Sequence, residues 1–130
     1  MSLLRRLFVF AFWLCIVVAY VAAILPQREA PRGLGWDKLN HMLAFFTVTF
    51  LFRLAYPRVS FWMIALLMAA FGGAIELSQA IPFIARDAEW ADWFADCAAV
   101  GVGLLVAWPV AILADRRRIR RGTYRPRTEI

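Results

Sequence analysis

Four long apolar stretches limit what this chain can fold into. They cover residues 7–25, 39–56, 61–80 and 93–114. A helix needs about 20 mostly apolar residues, each adding ~1.5 Å, to cross the hydrocarbon core of a bilayer. Apolar residues make up 63% of the chain, against roughly 45–50% in globular domains. The sequence therefore predicts an all-α membrane protein, folded as a four-helix transmembrane bundle.

The connections between these stretches are too short to form a soluble domain. They read "PQREAPRGLGWD", "PRVS" and "IPFIARDAEWAD", with proline and glycine where helices end. We therefore predict one transmembrane domain over residues 1–130, with a basic cytoplasmic tail at 115–130. The first stretch also resembles a signal peptide, because "LLRR" precedes its apolar core and "VAA" at 21–23 suits a signal peptidase. Its length and its Phe and Trp content favour a retained helix.

Basic residues near the ends of the stretches predict the orientation, since Lys and Arg at span ends tend to stay in the cytoplasm. If both termini are cytoplasmic, the outer side holds only four of the 15 basic residues: Arg28, Arg32, Lys38 and Arg86. Most of the acidic residues then lie toward the outer side. We therefore predict four spans with both termini in the cytoplasm.

Polar residues gather at one depth in this orientation. Three stretches each carry a polar pair three or four residues apart, which puts both members on one helix face. The pairs are Asp37 with His41, Glu76 with Gln79, and Asp92 with Asp96. Small residues continue the same faces, among them Gly72 and Gly103, and small residues let helices approach closely in lipid. We therefore expect the three pairs to face each other near the outer membrane surface.

Glu76 gives the strongest functional signal in this group. A charged side chain inside a span costs a few kcal/mol, so function is the default explanation. Glu76 also lies near a helix C-terminus, where the dipole disfavours an anion, so we expect either a raised pKa or a cation, Arg86 or His41, that holds its charge. Simpler roles exist for the others: the two N-terminal aspartates could cap helices, His41 could make an interhelical hydrogen bond, and residues 86–89 could form a solvated loop.

Five separate elements of the sequence resemble the VanZ-like family of small membrane proteins. They lie in "DKLNHMLAFF" at 37–46, "GGAIELSQAIPFIARDAEWADWFAD" at 72–96 and "GVG" at 101–103. The family pattern is Asp-Lys-x-x-His at the start of one span, Glu-x-x-Gln at the end of the next, then Arg, Asp and Asn before a Gly-containing final span. By position it falls on Asp37, Lys38, His41, Glu76, Gln79, Arg86 and Asp92. The chain departs from the pattern with Asp96 at the usual Asn and Ala99 where Gly is common.

The resemblance implies a multi-pass protein of the bacterial cytoplasmic (inner) membrane and the cell envelope. The family is named for a teicoplanin-resistance protein, so a link to antibiotic resistance is implied as well. Together with the polar pairs, it predicts a ligand-binding or functional cluster. Its members are Asp37, Lys38, His41, Glu76, Gln79, Arg86, Glu89, Asp92 and Asp96. Trp36, Trp90 and Trp93 fit the aromatic belt beside this cluster.

Three classes of function are compatible with such a cluster. We favour binding of an envelope or lipid-linked ligand, such as a cell-wall precursor or a lipophilic glycopeptide. The alternatives are an intramembrane enzyme that acts on a lipid headgroup, with His41 and the carboxylates as acid and base or metal ligands, and a structural or transport network. No recognised catalytic motif is present in the sequence, so we expect binding rather than catalysis, with no metal and no cofactor.

The expected partners are membrane lipids and the envelope ligand. The basic tail lacks an accompanying aromatic-basic module, so we predict no nucleic acid and assign the tail to the anionic lipid surface. The sequence does not decide whether the chain forms a homo-oligomer. Cys15 and Cys97 lie at different predicted depths, which favours free thiols over a disulfide.

Overall fold

The structure is a computed structural model that describes residues 3–25, 37–81, 84 and 89–120. Across these residues the chain is all-helical, with four helices: α1 (Leu3–Ile24), α2 (Asp37–Ala55), α3 (Phe61–Gln79) and α4 (Trp90–Arg120). Each helix covers one of the predicted apolar stretches. The largest difference is at the end of α4, which continues past the apolar stretch into the basic residues.

Three of the four helices are long and apolar enough to cross a membrane. They are α1, α3 and the Trp90–Val110 part of α4. The α2 helix is outside this group, and it carries Asp37, Lys38 and Arg53. These charges reduce the apolar character of a 19-residue helix. The length and composition of these three helices therefore indicate a membrane protein. A fourth span and the orientation in the membrane stay predictions.

The short connection between α2 and α3 is determined by local sequence. The α2 helix ends two residues before Pro57, and the residue preceding a proline is disfavoured in helical conformation. Ser60 then caps α3, because its side-chain oxygen accepts a hydrogen bond from the Met63 backbone N–H at 3.2 Å. Together these residues reverse the chain within five positions, so α3 runs back along the bundle.

The helices pack in the cyclic order α1, α2, α4, α3, and the contact between α2 and α4 is the most extensive. These two helices are parallel, since Lys38 pairs with Asp92 near their starts and Thr49 lies against Gly103 further along. The α3 helix runs antiparallel to α4. Its first residue, Phe61, stacks near Trp108 with ring centroids 5.7 Å apart.

Two glycines allow close contact on α4 and α3. A Cβ on Gly103 would lie 3.1 Å from the backbone oxygen of Phe46 and 3.2 Å from Thr49 Cβ. A Cβ on Gly72 would lie 3.2 Å from Trp93 Cδ1. Both distances are shorter than ordinary contacts of a Cβ atom, so larger residues would push the helices apart. The predicted stripe of small residues does face the helix contacts, and at Gly103 it faces α2.

The α1 helix contributes to the core of the bundle. Phe12 is 4% exposed and packs on Phe52 with ring centroids 4.7 Å apart. At the other end of α1, the Gln79 side chain donates a hydrogen bond to the Ala23 backbone oxygen at 2.9 Å. Tyr20 also lies 3.1 Å from the Ser78 hydroxyl. These contacts join α1 to both α2 and α3.

The bundle exposes many apolar side chains and buries a few polar ones within an otherwise apolar core. Large apolar side chains are exposed on all four helices, including Leu66 at 63% on α3. In contrast, Thr49, Glu76 and Asp96 are each at most 2% exposed. Polar groups at the centre and apolar groups outside are what a lipid surrounding requires.

We predict that Gly103→Leu destabilises the bundle, because its side chain would have to enter the space occupied by Phe46 and Thr49 of α2. Overpacking of this kind costs about 1–3 kcal/mol, and we expect a fall of several degrees in the unfolding temperature in lipid-free detergent. Gly101→Leu is the matched control, since a Cβ on Gly101 meets nothing within 4 Å. Equal unfolding temperatures for the two variants would contradict this packing.

Candidate functional site

Five polar side chains from three helices meet at one end of the bundle. We name this group the polar cluster; its members are Lys38, His41, Glu76, Asp92 and Asp96. The starts of the parallel helices α2 and α4 lie at this end, together with the end of antiparallel α3. Spacings of three and four residues place Lys38 and His41 on one face of α2, and Asp92 and Asp96 on one face of α4. Of the three pairs expected to face each other, four residues meet here, His41, Glu76, Asp92 and Asp96, and Lys38 joins them.

Lys38 and Asp92 form the outer layer of the polar cluster. The Lys38 Nζ lies 3.0 Å from Asp92 Oδ1, with side-chain exposures of 45% and 19%. The hydrogen bond with Asp92 and the charge of that carboxylate raise the pKa of Lys38 above its ordinary value, and Glu89 adds to this effect. Lys38 therefore stays protonated at neutral pH. Because the pair is partly exposed to solvent, it contributes little to stability.

His41 and Asp96 form the next layer, one helical turn deeper. His41 Nδ1 lies 3.8 Å from Asp96 Oδ2, and the side chains are 12% and 2% exposed. This distance is longer than a hydrogen bond and corresponds to an electrostatic contact. Asp96 Oδ1 is buried with no hydrogen-bond partner among the described residues. A histidine next to a carboxylate is an arrangement that can accept and release protons.

Glu76 lies on α3 and is 2% exposed. Both of its carboxylate oxygens are buried, and neither makes a hydrogen bond of normal geometry within the described part of the chain. His41, Asp92 and Asp96 all lie near enough to act on its charge, as does the backbone N–H of Glu89. Burial is the largest penalty on a charge at Glu76, and the carboxylates of Asp92 and Asp96 add to it, whereas the Glu89 backbone N–H and His41 favour the charge.

The polar cluster holds more acidic groups than basic ones. It contains three carboxyl groups, one lysine and one histidine. The lysine is paired with Asp92 in the outer layer, which leaves His41 between the two deeper carboxyl groups of Glu76 and Asp96. This arrangement can bind a cationic or hydrogen-bond-donating group at the deeper carboxyls.

Not every predicted site residue belongs to the polar cluster. Gln79 points to α1, where its amide donates to the Ala23 backbone oxygen. Glu89 is exposed, and its backbone oxygen accepts a hydrogen bond from the Asp92 N–H at 2.8 Å. Asp37 is the first residue of α2, but its side chain lies outside what the structure describes. Arg86, with its expected contact to Glu76, also lies outside the described residues, as does Trp36.

Trp93 has a role that the sequence did not indicate. We predicted it in the aromatic belt at the membrane surface, but its indole N–H donates to the Ala69 backbone oxygen at 2.9 Å. The ring lies over Gly72, so it fills the space between α3 and α4 below the polar cluster. The one signal in the sequence was its position next to Asp92, in a turn with inward-facing residues. Trp90, at 60% exposed, remains suitable for a membrane interface.

The structure gives no support to a metal centre in the region it describes. No three His, Cys, Asp or Glu side chains among the described residues are placed to hold a metal ion. The two cysteines, Cys15 and Cys97, are both free thiols, as predicted. The described members of the polar cluster can bind a ligand through carboxyl groups, and the His41–Asp96 pair can exchange protons.

We predict that Glu76→Gln does not lower the unfolding temperature of the purified chain and raises it by a few degrees. The substitution keeps the shape and removes the cost of a buried charge, to which repulsion from Asp92 and Asp96 adds. Gln79→Ala is the comparison, since it removes a buried hydrogen bond worth about 1 kcal/mol and should lower stability. A clear loss of stability in Glu76→Gln would mean that Glu76 has a stabilising partner, as expected of Arg86.

The chain matches no protein-family model, no curated protein and no solved structure. The resemblance to the VanZ-like family therefore stays a prediction that depends on the spacing of the elements between residues 37 and 103.

Proposed function

We propose that this chain is a VanZ-like, multi-pass protein of the bacterial cytoplasmic membrane, and that its polar cluster binds an envelope or lipid-linked ligand. In this proposal all four helices cross the bilayer, both termini are cytoplasmic and the polar cluster faces the envelope. The bias of basic residues supports the orientation. At the end of the bundle away from the cluster, Arg5 donates a hydrogen bond to the Ala55 backbone oxygen and Arg53 is buried, in agreement with that bias.

The observation that carries the proposal is the burial of the Glu76 carboxyl group. A carboxyl group that is 2% exposed and makes no hydrogen bond of normal geometry in the described residues is costly to keep. Stability alone gives no reason to retain it, since an apolar residue of similar size would pack better in a membrane bundle. A ligand that supplies the missing partner would recover this cost, and groups that destabilise a fold are typical of binding sites.

The carboxyl groups of the polar cluster indicate that such a ligand carries hydrogen-bond donors. Glu76 and Asp96 together offer buried carboxyl oxygens without partners in the described chain. An amino group or an array of N–H and O–H donors satisfies such oxygens best. Cell-wall precursors, lipophilic glycopeptides and some lipid headgroups all present these donors next to a lipid anchor. The resemblance to the VanZ-like family adds teicoplanin as the first compound to test.

An intramembrane enzyme is the second candidate, and the contact of His41 with Asp96 favours it. The carboxyl group orients the imidazole, which could then transfer a proton to or from a lipid headgroup. The two candidates differ in outcome: an enzyme releases a changed headgroup, whereas a binding protein returns its ligand intact. Mass spectrometry of the lipid fraction after incubation with the purified chain distinguishes them.

The binding proposal is tested with teicoplanin and with a lipid-linked cell-wall precursor as probes. We expect the purified wild-type chain to bind at least one of them, and Glu76→Gln to weaken that binding ~10-fold or more, because a hydrogen bond to a charged group is lost. The matched control is Leu66→Ala, a change on the exposed face of the same helix, which should bind as the wild type does.

Two outcomes would contradict the binding proposal. If the wild-type chain binds neither probe, the envelope-ligand assignment is wrong. If a His41→Gln and Glu76→Gln double variant binds as strongly as the wild type, the polar cluster serves only helix packing.

A further inference from the structure

A groove lies between the beginning of α3 and the middle of α4, away from the polar cluster. It has a volume of about 830 Å³ and is open to one side of the bundle. Its walls are mostly apolar and aromatic, with Phe61 and Trp62 from α3 and Leu105 and Trp108 from α4. Small-molecule sites typically have volumes of roughly 300–1,000 Å³. The groove is therefore large enough for a bound molecule with long apolar parts.

A buried arginine side chain lines this groove. Arg53, near the end of α2, lines it and is 9% exposed. Its guanidinium lies 4.9 Å from the centre of the Phe61 ring and donates a hydrogen bond to the Pro57 backbone oxygen. None of the described lining residues is acidic. Arg58, which is exposed, directly precedes another lining residue, Val59.

We propose that the groove binds one anionic phospholipid from the surrounding bilayer. The acyl chains lie along the aromatic and aliphatic walls, and the phosphate faces Arg53. Two observations support this occupant. The helices α3 and α4 are both apolar enough to cross a membrane, so the open side of the groove faces lipid. Basic pockets between membrane-crossing helices bind anionic headgroups, whereas a purely apolar groove would not distinguish among headgroups.

This lipid site is separate from the polar cluster. On α4, Asp96 of the polar cluster and Gly101 of the groove are five residues apart, which is ~7.5 Å along a helix. The charges are also opposite, since the cluster is rich in carboxyl groups and the groove carries an arginine. The two sites therefore select ligands of opposite charge, and loss of one does not predict loss of the other.

Gly101 provides a way to fill the groove without disturbing the fold. It lines the groove, and a Cβ on it meets nothing within 4 Å. A leucine at this position would therefore project into the space that we assign to an acyl chain. Ala98→Leu is the matched control, because Ala98 is exposed on the same helix and does not line the groove.

The experiment measures the unfolding temperature of the full chain in detergent with added phosphatidylglycerol or phosphatidylcholine. We expect phosphatidylglycerol to raise it by ~5 °C at saturation and phosphatidylcholine to raise it less. Gly101→Leu should lose the increase for both lipids, while Ala98→Leu keeps it. Arg53→Gln should remove the difference between the two lipids.

Two results would overturn the proposal. An undiminished effect of phosphatidylglycerol on Gly101→Leu would show that the lipid binds elsewhere. Equal shifts of the wild-type chain with both lipids would show that the groove does not select anionic headgroups. If Arg53→Gln fails to fold, the comparison of Gly101→Leu with Ala98→Leu still tests the site.

Discussion

The parallel contact between α2 and α4 is the constraint on which the rest of this structure depends. It is made possible by Gly103, where a Cβ would come within 3.1 Å of the α2 backbone. Such close approach gives helices in lipid their packing energy, since no hydrophobic force draws them together there. The contact also fixes the register of the two helices. In that register Lys38 stands opposite Asp92 and His41 stands opposite Asp96.

The bundle separates its charges between its two ends. Carboxyl groups collect where α2 and α4 begin, and buried Arg53 marks the end where α2 finishes. A fold selected for stability alone would have little reason to bury the Glu76 carboxyl group, which makes no hydrogen bond of normal geometry in the described chain. The two proposed sites use this separation: a carboxyl-rich site takes ligand groups that donate hydrogen bonds, and a basic groove takes an anionic lipid.

Hydropathy alone was sufficient to predict the four helices, because each apolar stretch forms one helix and the breaks fall at proline or glycine. Helical spacing also predicted that polar residues of α2, α3 and α4 meet. It did not predict the partner of Gln79, which turns to Ala23 on α1. Residues three apart on a helix differ in direction by about 60°, so Glu76 and Gln79 face different neighbours. Trp93 was misassigned for a similar reason, since composition does not show how far a helix is rotated.

The central claim is that the polar cluster faces the envelope at one end of a helix that crosses the membrane. Thiol labelling of intact cells tests this most directly, in a chain with Cys15→Ser and Cys97→Ser. The two single variants are Lys38→Cys, in the first turn of α2, and Arg58→Cys, shortly after the end of that helix. The account predicts that a membrane-impermeant maleimide labels Lys38→Cys at once and labels Arg58→Cys only after the cells are permeabilised. Labelling of both from the same side, or the reverse order, would contradict it.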